Sequence, residues 1–395
     1  MNFIKLFRRS TNTTSFLPEI DGLRFFAIFT VLVYHMNTAY IKQIGLTLED
    51  WKELVSVASF SDPGWWIIRL DVGVKVFFAI SGFILALPFL KQYVSGGKQV
   101  QIKDYFIRRL TRLEPPFVIS LIGFYFVHVF LLQADGIELI PHFFAGLIYG
   151  HVFIFGEGNP INPVTWSLET EAQFYIVLPL LFWILFQFKK LFFQIIFILL
   201  LIVISIMSKS YFFYQGLHHL ESSIFAYFTN FASGILFAWV YLKLGDIFFK
   251  NRNFVYDLLG LLSVFLMFYF YKPQAYWLNN IILNLSILGL FLSVFKGNLT
   301  NWFYTRPIIY IIGGMCYSIY LLHFAFFHLI VKFTGSMQSG QGYWQDFMIQ
   351  SAIMLPLVLV VSSIYYLLIE KPCMNKDWPS NFYKTIFSGI STLRK

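Results

Sequence analysis

Charge is what this chain has least of. Acidic and basic residues fill 12% of its 395 positions, about half the roughly 25% of an average soluble domain. Apolar residues take 58% and aromatic ones 21%. So little charge cannot cover a water-soluble surface, which excludes an ordinary soluble enzyme. Apolar runs of about 20 residues, the length that crosses a bilayer core, recur along nearly the whole chain. Cysteine is almost missing too. Cys316 and Cys373 lie far apart near the ends of apolar segments, so neither a disulfide framework nor a metal site is indicated, and both read as ordinary thiols. The opening "MNFIKLFRRSTNTTS" lacks the apolar core of a cleaved signal peptide, so the first membrane helix is expected to stay. No internal repeat, low-complexity linker or large polar segment is visible. Whatever chemistry occurs must happen inside, or at the faces of, a helix bundle.

What is present is an all-α integral membrane protein by pattern. Ten transmembrane spans are predicted, at 21–40, 72–90, 115–134, 166–188, 191–208, 222–242, 254–271, 278–295, 308–332 and 348–370. The stretch "FFAGLIYGHVFIF" (143–155) is too short to cross and is expected to be a re-entrant or interfacial helix. Ten crossings with both termini cytoplasmic place 21 of the 29 Lys and Arg inside and six outside. Counting 143–155 as a crossing would invert every later loop and spoil that asymmetry. The net charge of +9 is thus assigned to cytoplasmic loops facing membrane lipids, with no nucleic-acid partner expected. The predicted organisation is a cytoplasmic segment (1–17), one membrane domain (18–372) and a cytoplasmic tail (373–395), in the cell (inner) membrane.

Against this background a few polar residues stand out. "EIDGLRFFAIFTVLVYHM" (19–36) carries Arg24 and His35, eleven residues apart, hence on one helix face and separated by roughly 16 Å. In lipid such groups are expensive and tend to be functional. The bland alternatives are an arginine snorkelling to headgroups and a histidine packing between helices. "NPVTWSLETEAQFYIVLPL" puts Glu169 and Glu171 in the first turns of the fourth span, about 200° apart around the helix. Glu171, the deeper, could reach His35 if the spans are neighbours and orient it as a general base, or could simply complement a helix N-terminus. "KDYFIRRLTRLEPP" holds Arg108, Arg109 and Arg112, of which at least two converge on one helix side. They suit bidentate phosphate binding, or an anchor on anionic lipid. Together the features describe a path from phosphate-binding arginines inside to an acid/base pair near the outer face.

The same residues carry a resemblance. Arg24 and His35 resemble the Arg-x10-His signature of the membrane acyltransferase-3 family (the OafA-like O-acyltransferases). "DVGVKVFFAISGFIL", "RRLTRLEP", "TWSLETEAQFY", "YSIYLLH" (317–323) and "LIEKP" (368–372) resemble further elements of that family, in its order, over residues 18 to 372. The resemblance implies transfer of an acyl group, usually acetyl from acetyl-CoA, to a hydroxyl of a carbohydrate acceptor such as a polysaccharide, a lipopolysaccharide or a lipid-linked glycan. It implies His35 as general base with Arg24 its motif partner near the donor channel. Arg108, Arg109 and Arg112 would meet CoA phosphates, Trp166 and Glu171 would line the reaction chamber, and His323 would be a second chamber histidine. No metal is implied. Two departures bear on the pocket. Lys75 stands where many relatives carry an acid, a difference expected to alter acceptor choice, and Glu114 follows the arginine loop and is expected to pair with Arg112. Ser81 reads as a small residue that lets helices approach. Relatives with a fused extracellular SGNH hydrolase-like domain carry it after an extra span, and this chain is expected to be the core domain without it. The competing class is a multi-pass transporter or receptor whose intramembrane charges line a pathway.

Overall fold

The structure, a computed structural model, describes residues 3–9, 16–56, 61–271, 277–337, 339, 341–375 and 378–379. Those residues form helices and, among them, no strand. That suits a chain in lipid, where each backbone N–H and C=O must find its partner within its own helix. The principal helices are α1 (Pro18–Gln43), α2 (Gly73–Ser95), α3 (Ile102–Phe126), α4 (Gly136–Leu147), α5 (His151–Phe155), α6 (Trp166–Gln187), α7 (Leu191–Tyr214), α8 (Ile224–Lys250), α9 (Val255–Phe270), α10 (Trp277–Lys296), α11 (Pro307–Gly314), α12 (Cys316–Thr334) and α13 (Tyr343–Tyr365).

Eight helical stretches among the described residues are long and apolar enough to cross a membrane, and the chain is a multi-pass membrane protein. They correspond to eight of the ten predicted spans. The other two are α1 and α9. α1 has 26 residues and is about 39 Å long, but it carries Glu19, Asp21, Arg24, His35 and Lys42. α9, with 16 residues, reaches only about 24 Å, short of a hydrocarbon core of about 30 Å. The predicted span 308–332 is divided at Met315 into α11 and α12. The single helix predicted over 143–155 is replaced by two, because α4 stops at Leu147 and Tyr149 turns the chain with a φ of 54° before α5 begins. Residues 10–15 and most of the tail 373–395, on which the expected cytoplasmic termini rest, lie outside the described residues.

α1 is the hub, packed against α2, α10, α11, α12 and α13. Leu23, Ala27 and Val31 recur every fourth residue on one row of it, and none retains any exposure. Two glycines let neighbours touch its backbone. A Cβ on Gly73 of α2 would stand 2.3 Å from the Ala27 carbonyl, and one on Gly313 of α11 would stand 1.7 Å from the Asp21 carbonyl. Small residues at such crossings are how helices associate without a hydrophobic drive between them. Gly313→Ala must push α11 off α1, at the 1–3 kcal/mol or more that overpacking costs. The expected result is a clear fall in the unfolding midpoint of the detergent-solubilised protein, whereas an unchanged midpoint would show that α11 can shift freely. α7 packs more loosely, with Ser205 its one buried residue and about half of its side chains exposed.

Candidate functional site

His35 and His323 meet across α1 and α12, His35 Nδ1 lying 2.9 Å from His323 Nε2. The direction of that bond follows from the far side of His323. Its Nδ1 stands 2.8 Å from the Tyr320 carbonyl and 3.0 Å from that of Ile319, and carbonyl oxygens only accept, so Nδ1 carries the hydrogen. In the neutral ring Nε2 is then an acceptor, and His35 Nδ1–H donates to it. His35 Nε2 is left with a free lone pair. His323 is wholly buried, and two backbone carbonyls of one rigid helix thus set the tautomer of a ring two steps away.

That ring faces space. A cavity of about 590 Å³ lies at the His35 end of α1, its wall including Tyr34, His35, Asp71, Trp166, Tyr320 and His328. Trp166, at the start of α6, is held by Tyr227, whose ring centroid is 5.6 Å away. The α6 motif is tied to α12 there: Ser167 Oγ and Tyr320 OH are 2.7 Å apart, and Tyr320 OH donates to the Val164 carbonyl. Lys75, expected to meet substrate, is not on this wall. It is 4% exposed and ion-paired at 3.0 Å with Asp71, which is.

At the other end of α1 charges collect. Arg24 Nη1 donates to Asp21 Oδ1 at 2.5 Å, and Arg9 lies 3.6 Å from the same oxygen. Arg112 and Glu370 are within electrostatic reach of Asp21. Glu370 is brought in by a π-helical turn (Tyr366–Glu370) and accepts from Ser318 N at 3.0 Å and Ser318 Oγ at 2.5 Å. Hence "YSIYLLH" and "LIEKP", separate in sequence, clasp one another. The cluster holds three guanidiniums against two carboxylates. Arg112 Nε has no hydrogen-bond partner among the described residues, and neither does Arg109 Nε, although Arg109 Nη1 donates to the Tyr105 carbonyl and its guanidinium lies 4.1 Å above the Tyr105 ring. Arg108 points the other way, exposed, with Nε bonded to the Asp104 carbonyl at 3.2 Å. Of these three arginines, all on α3, Arg109 and Arg112 turn inward together.

Two expected pairings are corrected. Glu171 does not orient His35. It accepts from Ser81 Oγ at 2.5 Å and from Tyr175, so Ser81 is a hydrogen-bonding residue and the neighbouring Gly82 provides the close helix approach, its Cβ position lying 2.1 Å from the Phe231 carbonyl. Glu114 bonds to Tyr149 rather than to Arg112. His323 of α12 takes the place beside His35 that was expected for Glu171, and the Ile319–His323 helical spacing that fixes it carries no signal in a single sequence. A second feature also escaped sequence reasoning. His142 Nδ1 lies 2.7 Å from His151 Nε2, and His151 Nδ1 donates to the Glu157 carbonyl at 3.1 Å. Burial lowers the pKa of His151, consistent with the neutral ring that this bond needs. Glu169, 1% exposed, joins that layer by accepting from Val152 N. Among the described residues no group of three or more His, Cys, Asp or Glu could hold a metal ion.

A family model described as an acyltransferase domain, Acyl_transf_3, matches residues 17–367. A Staphylococcus aureus (strain MRSA252) protein named "Putative O-acetyltransferase SAR0937" is 27% identical over 397 residues, covering 93% of this chain and 59% of its own. The "Peptidoglycan O-acetyltransferase OatA" of Listeria monocytogenes is 23% identical, covering 95% of this chain and 58% of its own. The "O-acetyltransferase OatA" of S. aureus strain NCTC 8325 is 24% identical, with 92% and 58% covered. The chain thus spans under three fifths of the length of the curated relatives it matches. No solved structure matches.

Proposed function

Because the chain belongs to the Acyl_transf_3 family of acyltransferases, we propose that it is a ten-span O-acetyltransferase of the cell membrane. It moves acetyl from cytoplasmic acetyl-CoA to a hydroxyl of a cell-surface or exported glycan. The observation that carries the mechanism is the tautomer chain from the Ile319 and Tyr320 carbonyls through His323 to His35, because it leaves an unprotonated Nε2 at a cavity wall. A base so placed is worth about 10² to 10⁴ in rate.

In this reading the acceptor enters the cavity beside Trp166, and His35 Nε2 takes its hydroxyl proton. The oxygen attacks the thioester carbonyl carbon, the C–S bond breaks, and the imidazolium returns the proton to the CoA sulfur. The donor approaches from the Arg24 end. There, three guanidiniums outnumber two carboxylates, and Arg109 and Arg112 each keep a donor without an acceptor, an excess of positive, hydrogen-bond-ready groups that suits phosphates. The peptidoglycan named for the Listeria relative makes a cell-wall glycan the first acceptor to try.

The test is purified protein with radiolabelled acetyl-CoA and soluble glycan fragments, following CoA release and label on glycan and protein. Label on glycan supports direct transfer, and label held on the protein replaces it with an acyl-histidine route. Consumption of no acetyl-CoA by folded protein overturns the proposal in favour of a transport pathway. A narrower prediction concerns His323. His323→Leu removes the acceptor that fixes the His35 tautomer and is expected to lower kcat about 10²-fold or more, whereas His323→Gln, whose Oε1 can accept the same bond, should retain more of it. Equal losses in both would deny His323 an orienting role.

A further inference from the structure

The cavity wall holds a further histidine that the reaction above does not use. His328 follows His323 on α12 by five residues, about 140° round the helix, so the two rings take different faces. His323 is wholly buried, whereas His328 is half-buried and forms part of the cavity wall. Its Nδ1 stands 2.9 Å from the Phe324 carbonyl, so Nδ1 carries the hydrogen and Nε2 the lone pair of the neutral ring. Nε2 has no hydrogen-bond partner among the described residues, and it is not one of the unpartnered atoms sealed from solvent. The lone pair is therefore both uncommitted and open to a molecule in the cavity.

Three rings run along this wall. Phe324 meets His35 edge-on, with centroids 5.4 Å apart and planes at 86°, and lies against His328 at 4.4 Å. One benzene ring thus separates two imidazoles whose Nε2 atoms are both free, a span that hydroxyls on one disaccharide cover. The charges nearby limit what His328 Nε2 would take. Lys42 and Lys332 lie within electrostatic reach of it, and both oppose a metal ion or an ammonium group at the lone pair. An anion fits no better, because the lone pair repels it and the one N–H of the ring is given to Phe324. A neutral hydrogen-bond donor meets neither objection, and hydroxyls are the donors a glycan carries most of. We infer that His328 is a specificity-determining residue, its Nε2 accepting a hydrogen bond from a glycan hydroxyl other than the one acetylated at His35. Held at two points, the acceptor presents one chosen oxygen to the base. That the ligand is a glycan rests on the acyltransferase reading, but the open lone pair beside His35 does not.

The experiment reads binding and turnover separately on the full chain in detergent, with a β-1,4-linked N-acetylglucosamine tetrasaccharide as acceptor. His328→Phe keeps a ring against Phe324 but has no lone pair. It is expected to weaken tetrasaccharide binding and raise the acceptor KM about 3- to 10-fold, the range for one neutral hydrogen bond. The changes in kcat and in the acetyl-CoA KM should be much smaller, because a contact made equally in ground and transition states acts on binding alone. His328→Gln can present Oε1 as the acceptor atom and should stay closer to wild type. A panel of monodeoxy tetrasaccharides gives a reading that misfolding cannot imitate. One position should lose the same factor with wild-type protein and nothing further with His328→Phe. An unchanged acceptor KM in His328→Phe overturns the inference, as does a deoxy penalty equal in both proteins at every position. So does a loss of kcat that follows the unfolding midpoint, the mark of a histidine that only packs, or no binding of the tetrasaccharide by folded wild-type protein. Each of these leaves the acyltransferase reading intact if acetyl-CoA is consumed. Tetrasaccharide binding that depends on His328 without any acetyl-CoA consumption would instead overturn that reading and leave this inference standing.

Discussion

His35→Gln should lower acetyl transfer by about 10² to 10⁴-fold, the contribution of a positioned base, while the protein stays folded and still binds acetyl-CoA. Glutamine is a better probe than alanine for a physical reason. His323 Nε2 is buried and needs a donor, and His35 Nδ1–H is the donor it has. His35→Ala leaves that lone pair unpaired at about 1–3 kcal/mol, so lost activity could then be lost structure. The amide N–H of glutamine can still donate to His323, yet glutamine has no basic nitrogen to take a proton. If His35 is the base, the two variants should be equally inactive but differ in unfolding midpoint, alanine lower. If His35 only packs α1 against α12, activity should instead follow stability and glutamine should be nearly as active as wild type. A stopped assay of CoA release with both variants, beside their thermal midpoints, decides between these.

Much of this was legible in the sequence because lipid makes polar residues conspicuous. Arg24 and His35 stand out in α1 since the ten residues between them are apolar apart from Thr30, and eleven residues at 100° each return to the same face. The segments of the bundle were legible for the same reason, as uniform apolar length is the only demand lipid makes on most of them. Partners were another matter. Position along a span predicts only depth, which is one coordinate of three, and the Glu171 carboxylate goes to Ser81 instead. His323 was visible as a second histidine, while its role depends on carbonyls that every residue has. The arginines of α3 show the same limit, since Arg108 and Arg109 are neighbours in sequence and one is exposed while the other faces Tyr105. Asp71 carries no signal in the sequence, because a carboxylate four residues before a lysine on a helix is the commonest of surface pairs. Its other partner, Tyr271, is 200 residues away.

Asp21→Ala should be the most destabilising single change at the Arg24 end, about 3–5 kcal/mol, the cost of breaking a buried ion pair by removing one partner. Asp21 is 4% exposed and takes Arg24 at 2.5 Å and Arg9 at 3.6 Å on one oxygen. Without it, Arg9, Arg24 and Arg112 face a single acid, Glu370, whose Oε2 already accepts two bonds from Ser318. The expected result is a sharply lowered unfolding midpoint, partly recovered by Asp21→Asn, which keeps an acceptor oxygen. Adding Arg24→Met to Asp21→Ala removes the stranded charge and should restore much of the stability, since a buried pair replaced by apolar groups is often close to neutral. Affinity for acetyl-CoA then separates the two tasks Arg24 could have. If Arg24 meets the donor, the double variant is stable but binds acetyl-CoA at least tenfold more weakly than wild type. If binding returns with stability, Arg24 serves only to hold α1 in place, and donor recognition falls to Arg109 and Arg112, whose unpartnered Nε groups become the next positions to change.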